Sequence, residues 1–162
     1  MREKKNHLYI KFPAVPENER LARTIAAAFI SNLNPNLEEL DDVKTAVSEA
    51  VTNCIIHAYE DGPREESVLD LNTEMEKGGE HSVEMLLDQE EQTVFVTIID
   101  KGKGIADIAR AMEPLYTTKP EEDRSGMGFS FMEAFMNDLI VESELGKGTT
   151  VKMKKIIGRT DF

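Results

Sequence analysis

A carboxylate and an amide lie four residues apart in one helical stretch of this 162-residue sequence. Glu49 and Asn53 interrupt a segment rich in Ala, Val and Ile, and their spacing places both side chains on one face of a helix, one turn apart. Such a pair can serve a hard cation together, or one side chain can hold Mg²⁺ while the other takes a proton. The same spacing also fits a surface pair on an amphipathic helix.

An Asp-x-Gly-x-Gly motif follows an apolar strand further along the chain. Asp100 stands at the end of that strand, where a carboxylate is positioned over a pocket, and Gly102 and Gly104 leave room for a flat ligand to approach the backbone. The motif alone is weak evidence, because acidic turns often follow strands. The sequence contains no P-loop motif and no dinucleotide-binding fingerprint in a strand and helix context.

Two further glycine-containing segments complete the set. The segment 124–129 opens a predicted helix, whose free N–H groups and dipole attract anions, and Arg124 can add a charge-assisted contact to a phosphate. The segment 146–150 reads as a hairpin turn that leads into a strand. A plain helix start and a plain turn explain these segments equally well when each is taken alone.

The elements that must position these motifs follow from the apolar periodicity. Helical spacing predicts a helix after Pro16 and a second from about Leu37 to Tyr59, then short helices near 105–110 and from Gly126. Alternating apolar residues predict five strands, at Leu8–Phe12, Val83–Leu87, Thr93–Ile99, Leu139–Ser143 and Thr149–Met153. This order predicts an α+β two-layer sandwich, with a mixed or antiparallel sheet covered by helices on one face. We expect one domain over 1–162, with a polar insertion at about 61–82.

Composition restricts the classes of function. The formal net charge of −12 argues against non-specific binding to a nucleic-acid backbone. Cys54 is the only cysteine, which rules out an intramolecular disulfide, and its apolar surroundings predict a packed core thiol. No apolar run approaches the length of a membrane span, and the N-terminus does not read as a signal peptide. We therefore expect a cytoplasmic protein.

The order of the motifs resembles that of the GHKL ATPase superfamily. An Asn-bearing helix is followed by Asp-x-Gly-x-Gly, by a loop ending in Gly-x-Gly and by Gly-x-Gly-Thr on a strand. Within that superfamily the segments 48–59, 114–120, 124–129 and 142–143 with 148–151 are similar to the anti-sigma F factor family of endospore-forming bacteria. The resemblance covers nearly the whole chain except roughly 61–82, where this sequence has a longer polar segment.

The resemblance implies a role for each matching position in an ATP/ADP site. Asp100 would bind the adenine amino group, with Gly104 forming the pocket floor and Gly102 as a further cofactor-binding position. Asn53 would ligate Mg²⁺, and Glu49 would be the general base. The remaining cofactor-binding positions are a phosphate cap at Arg124, Ser125, Gly126, Met127, Gly128 and Phe129, and Thr149 near the adenine.

The resemblance also implies partners and an activity. Family members bind and inhibit a sporulation sigma factor, phosphorylate a serine of an anti-anti-sigma protein with ATP, and act as homodimers. Arg23 falls at a partner-contacting position of the first helix, although it also fits a solvated helix arginine. An alternative is a GHKL nucleotide-gated switch for another, stress-type sigma factor, with weak or no kinase activity. A histidine kinase is disfavoured, because upstream of the Asn-bearing helix the only histidine is His7, in or beside a strand.

Overall fold

The computed structural model describes residues 5–59, 81–114 and 127–158. The strands within these ranges are β1 (Lys5–Pro13), β2 (Ser82–Glu90), β3 (Thr93–Asp100), β4 (Asp138–Glu144) and β5 (Gly148–Ile156). They form one sheet in the order β1-β2-β3-β5-β4, and every neighbouring pair is antiparallel. The predicted α+β fold is confirmed, and of the two predicted sheet types the antiparallel one is present.

Helices cover one face of this sheet, which is the face that carries the buried core side chains. Within the described ranges the α-helices are α1 (Glu17–Ile30), α2 (Leu37–Asn53), α3 (Ile108–Ala111) and α4 (Gly128–Phe135), with a 3₁₀ turn at Ser31–Leu33 and a π-helix at Cys54–Ala58. In the part of the chain that is described, no helix is long and apolar enough to cross a membrane.

The core lies between the sheet and α1 and α2. Alternate residues of the central strands, such as Val96 and Ile98, are buried, and so are the helix residues Ala26, Val43 and Val47. Burying one such Val or Ile side chain contributes about 1.5–3 kcal/mol. This contact fixes the sheet register, because a slip by one residue would turn the apolar side chains outward.

The N-terminus of α2 is held by a capping box. The Asn36 side chain accepts a hydrogen bond from the backbone N–H of Glu39 at 2.8 Å, and a Glu39 carboxylate oxygen accepts from the backbone N–H of Asn36 at 2.9 Å. The other carboxylate oxygen of Glu39 accepts from the N–H of Gly158 at 2.7 Å. Glu39 therefore ties the start of α2, which was predicted near Leu37, to the chain that follows β5.

The other end of α2 differs from the prediction of one continuous helix to about Tyr59. Regular α-helix ends at Asn53, and Cys54–Ala58 form a π-helix. Two contacts outside the helix hold this wider turn. The N–H of Lys103 donates to the carbonyl of Ala58 at 2.7 Å, and the hydroxyl of Tyr59 donates to the carbonyl of Ser82 at 2.6 Å. Tertiary bonding at this end outweighs the local α-helical preference.

Two short helices also have different bounds from those predicted. The helix predicted near 105–110 is present at Ile108–Ala111, because the Asp107 side chain accepts from the N–H of Arg110 at 3.0 Å and starts it there. The helix predicted from Gly126 begins at Gly128. Residues 60–80, and with them nearly all of the predicted insertion, lie outside the described residues, as do 115–126.

Candidate functional site

A cavity of about 500 Å³ opens beside the end of α2, at the edge of the sheet where β3 ends and β5 begins. Its walls come from the π-helix, from the loop after β3, from α3 and from the start of α4. The lining includes most of the predicted site positions that the structure describes, namely Asn53, Asp100, Gly104, Gly128, Phe129 and Thr149. Residues distant in sequence are thus brought to one concave surface, which is typical of a ligand site.

Asp100 is the buried acid of this cavity. Only 6% of the residue is exposed, and its Oδ1 accepts hydrogen bonds from the N–H groups of Gly102 at 2.9 Å and of Thr149 at 3.3 Å. Burial raises the pKa of the Asp100 carboxyl, while these two N–H donors and the Cys54 thiol act in the opposite direction. The network holds a carboxylate in place whose ionised form can only accept hydrogen bonds.

Cys54 lies against this acid inside the core. The thiol is buried, as predicted, and Asp100 is its charged neighbour. Burial and the neighbouring carboxylate raise the pKa of Cys54 well above its ordinary value. A thiol in this state is a poor nucleophile, so Cys54 acts here as a small packing residue with a weak donor.

The loop after β3 passes close to two other backbone segments. A side chain at Gly102 would place a Cβ only 2.0 Å from the carbonyl oxygen of Ala58. Gly104 has a positive φ of 77°, and a Cβ there would lie 2.3 Å from the carbonyl oxygen of Glu144. The loop is therefore clamped between the π-helix and the β4–β5 turn, where only glycine fits.

A serine hydroxyl joins this loop to the final hairpin. Ser143 Oγ accepts a hydrogen bond from the N–H of Ile105 at 2.7 Å, lies 3.0 Å from the carbonyl oxygen of Gly148 and lies 2.8 Å from Thr149 Oγ1. Asp100, Thr149 and Ser143 occupy successive positions across β3, β5 and β4. They form a polar row at the end of the sheet.

The residues that opened the sequence analysis meet at the opposite end of the cavity, where Asn53 belongs to the lining and Glu49 does not. A Cβ built at Gly128 would lie 3.2 Å from Glu49 Oε2 and 3.4 Å from both amide atoms of Asn53. The start of α4 thus lies directly against this carboxylate and this amide. Because the first N–H groups of a helix have no partner within it, the arrangement suits an anionic ligand together with a hard cation.

Tyr59 fixes the end of the π-helix to the sheet and to the loop. Its hydroxyl accepts from the N–H of Lys101 at 3.1 Å while it donates to the Ser82 carbonyl. Its ring stacks on His81 with centroids 4.5 Å apart. Burial raises the pKa of Tyr59, which keeps the hydroxyl protonated and able to donate.

Some predicted site residues lie elsewhere. Arg124, Ser125 and Gly126 fall outside the described residues, and Met127 stands immediately before α4 as its N-cap. Arg23 lies on α1, where its side chain is about 3.5 Å from Glu19 Oε1. The same Glu19 oxygen accepts from the Ser48 hydroxyl, so Arg23 belongs to a polar cluster on the α1–α2 surface.

Sequence reasoning missed two residues that organise the site. Ser143 and Tyr59 carry no motif of their own in the hydrogen-bonding roles that they have here. Ser143 reaches Thr149 only because β4 pairs with β5. Tyr59 donates to the carbonyl of Ser82, which is more than twenty residues away in sequence. Both residues fall within segments that match the anti-sigma F factor family, Tyr59 in 48–59 and Ser143 in 142–143, but no role was predicted for either.

Comparison with known proteins matches residues 12–155 to the histidine kinase-like ATPase domain. The chain is similar to the anti-sigma F factor of Caldanaerobacter subterraneus subsp. tengcongensis, with 46% identity over 97% of this chain and 98% of that protein. It is also similar to the anti-sigma F factors of Geobacillus kaustophilus, with 46% identity over 96% of each chain, and of Clostridium acetobutylicum, with 49% identity over 93% of each chain.

Proposed function

The chain belongs to the histidine kinase-like ATPase family and, within it, to the anti-sigma F factors, and from that premise we propose that it inhibits a sporulation sigma factor and phosphorylates an anti-anti-sigma protein on serine. The membership supports nucleotide binding and an anti-sigma role that depends on ATP. Three parts of the proposal go beyond the membership: the identity of the sigma factor, the serine kinase activity and the roles of individual residues.

One observation carries the kinase assignment, namely the contact of the start of α4 with Glu49 and Asn53. Phosphoryl transfer needs the phosphates held in line with the nucleophile and their charge neutralised. The helix start at Gly128 suits the phosphates, because the first N–H groups of a helix have no partner within it, and a Cβ built at Gly128 would lie 3.2 Å from Glu49 Oε2. A carboxylate at that position would serve as a general base, which a simple nucleotide-binding adaptor does not need.

The oxygen donors present at this end fit Mg²⁺. Asn53 offers a hard amide oxygen, and Mg²⁺ is commonly held by one or two protein oxygens with the phosphates of the nucleotide. When bound, the ion would neutralise charge on the phosphates. In the proposed reaction the Glu49 carboxylate takes the proton of the substrate serine hydroxyl. The hydroxyl oxygen then bonds to the γ-phosphorus, the bond from that phosphorus to the β–γ bridging oxygen breaks, and ADP leaves.

We assign the adenine end of the nucleotide site, called the base end below, to the polar row of Asp100, Thr149 and Ser143. Asp100 would accept from the adenine amino group, Gly104 would form the floor under the ring, and Thr149 would stand beside it. Gly102 supports this end through its contact with Ala58. Arg124, Ser125, Gly126, Met127 and Phe129 complete the proposed phosphate cap.

The kinase assignment is tested by incubating the protein with γ-labelled ATP and an anti-anti-sigma protein. We expect label on a serine of that partner. Glu49→Gln should keep ATP affinity within about twofold but lose at least about a hundredfold in transfer rate, the usual scale of a general base. Glu38→Gln, at an exposed position of the same helix, is the matched control. Full phosphoryl transfer by Glu49→Gln would reject the role of Glu49 as general base. If the parent protein binds a sigma factor but transfers no phosphate, the alternative of a nucleotide-gated switch without kinase activity is favoured.

The metal and partner assignments need separate measurements. Asn53→Ala should raise the Mg²⁺ concentration needed for ATP binding, and an unchanged Mg²⁺ titration would contradict its role as a ligand. Arg23→Ala should weaken sigma-factor binding, with Arg20→Ala on the same helix as the control; equal losses in both variants would exclude a specific contact. Light scattering of the intact protein tests the proposed homodimer.

A further inference from the structure

The Ser143 hydroxyl makes three polar contacts, and together they determine the direction of each hydrogen bond. A serine oxygen carries one proton and two acceptor positions. The N–H of Ile105 can only donate to it, and the carbonyl of Gly148 can only accept from it. The single proton of Ser143 is therefore used on Gly148. The third contact, at 2.8 Å, must then be a hydrogen bond that Thr149 donates to Ser143.

This direction fixes what Thr149 presents to the cavity. Its one hydroxyl proton is used on Ser143, so Thr149 Oγ1 can offer a ligand only acceptor lone pairs. The residue lines the cavity and is 9% exposed, so little water competes for those lone pairs. Its backbone N–H is also engaged, since it donates to Asp100 Oδ1 at 3.3 Å.

We infer that Ser143 is a positioning residue for nucleotide selection, which makes the base end of the cavity accept hydrogen bonds and so favours a 6-amino purine over a 6-keto purine. The inference rests on the proposed nucleotide site and extends it to a residue for which no role was predicted from the sequence. An ionised Asp100 and an acceptor-only Thr149 both match an amino group. Both would repel the lone pairs of a 6-keto oxygen. A 6-keto purine would then find no hydrogen-bond donor on the protein at this position, and its affinity for the site would be lower.

Removal of the Ser143 hydroxyl should release the Thr149 proton. In Ser143→Ala, the Thr149 hydroxyl can rotate and donate to a keto oxygen, so the cavity loses part of its preference for a 6-amino purine over a 6-keto purine. ATP and inosine triphosphate are a suitable pair of probes, because they differ in the purine at the amino-to-keto position and share the sugar and phosphates. We expect the ratio of their affinities, measured by calorimetry with Mg²⁺ present, to fall by about tenfold, the scale of one hydrogen bond.

Four further variants distinguish a specific effect of Ser143 on the Thr149 hydroxyl from a general loosening of the site. Ser143→Thr keeps the hydroxyl and should keep the ratio. Thr149→Val lacks the hydroxyl on which Ser143 acts, so adding Ser143→Ala to it should change the ratio no further. Ser31→Ala removes a hydroxyl that donates to a backbone carbonyl at the end of α1, and it should leave both affinities unchanged.

The outcomes distinguish this inference from the proposed function. If the parent protein binds neither nucleotide, the proposed function fails. If the parent prefers ATP but Ser143→Ala lowers both affinities by the same factor, or changes neither, the positioning role is overturned while the nucleotide site stands. Ser143→Cys keeps the shape of the side chain with a weaker donor and acceptor, so it gives a second measurement with an intermediate expected ratio should Ser143→Ala not fold.

Discussion

Gly102→Ala is expected to damage the site through contact alone, without any cost in backbone conformation. Gly102 does not have a positive φ, so alanine can adopt its backbone angles. The added Cβ would nevertheless lie 2.0 Å from the Ala58 oxygen, 2.5 Å from its carbonyl carbon and 2.7 Å from its Cβ. Two of these three atoms are backbone, which cannot rotate out of the way.

The magnitude follows from the displacement that this contact demands. A Cβ almost never approaches another heavy atom closer than 3.0 Å, so the loop and the π-helix would have to separate by about 1 Å. Overpacking of this kind costs about 1–3 kcal/mol. The hydrogen bond from Lys103 to Ala58, at 2.7 Å, would be lost for about 1 kcal/mol more. We expect a loss of about 2–4 kcal/mol in the free energy of unfolding.

Urea unfolding and ATP calorimetry together test this reasoning. ATP affinity should fall by about tenfold or more, because Asp100 lies two residues from the displaced position and a site tolerates only about 0.5 Å of misplacement. Gly146→Ala is the control. Gly146 has a φ of 78° and no neighbour within 4 Å of its Cβ position, so only the backbone cost of about 1–2 kcal/mol applies. Gly102→Ala with stability and affinity near those of the parent would refute the argument.

Three other perturbations address burial and capping. Asp100→Asn should lose ATP affinity. Because burial raises the folded-state pKa of Asp100, its contribution to the free energy of unfolding falls as pH rises above the ordinary Asp value of about 4, so the variant should gain stability relative to the parent over that rise in urea unfolding. Equal pH dependence of the two proteins would contradict this. Cys54 should react slowly with a disulfide reagent at pH 8 and fully in urea, and rapid reaction of the folded protein would refute its burial. Glu39→Ala should lower the free energy of unfolding by about 1–3 kcal/mol, whereas Glu38→Ala should change it little, and similar losses would reject the capping role.

The sequence predicted the parts of this fold that depend on local pattern. Alternation located the five strands, and helical spacing after Pro16 and from about Leu37 located α1 and the start of α2. The π-helix was missed because Cys54–Ala58 are as apolar and as regularly spaced as the helix before them. Its distinguishing bonds are those that Lys103 donates to Ala58 and Tyr59 donates to Ser82, and they join segments too far apart in sequence for local periodicity to predict.

The same division applies to the candidate site. Asp100, Asn53 and Thr149 were selected by the order of their motifs, and they line one cavity. Ser143 was not selected, because its importance arises only when β4 pairs with β5 and brings its hydroxyl to Thr149. Residues that touch the ligand tend to carry motifs, whereas residues that orient them are determined by register.

The polar row also links nucleotide binding to the completeness of folding. Asp100 and Thr149 are 49 residues apart in sequence, so the proposed adenine-binding end forms only after β3, β5 and β4 have paired in register. Such long-range pairing forms slowly during folding, and a partly folded chain has no base site for the nucleotide to protect. ATP would therefore stabilise only the finished fold, by about 1.4 kcal/mol for each tenfold excess over its dissociation constant. The cellular ATP level would then help to set how long each molecule survives proteolysis, apart from any effect on its partners.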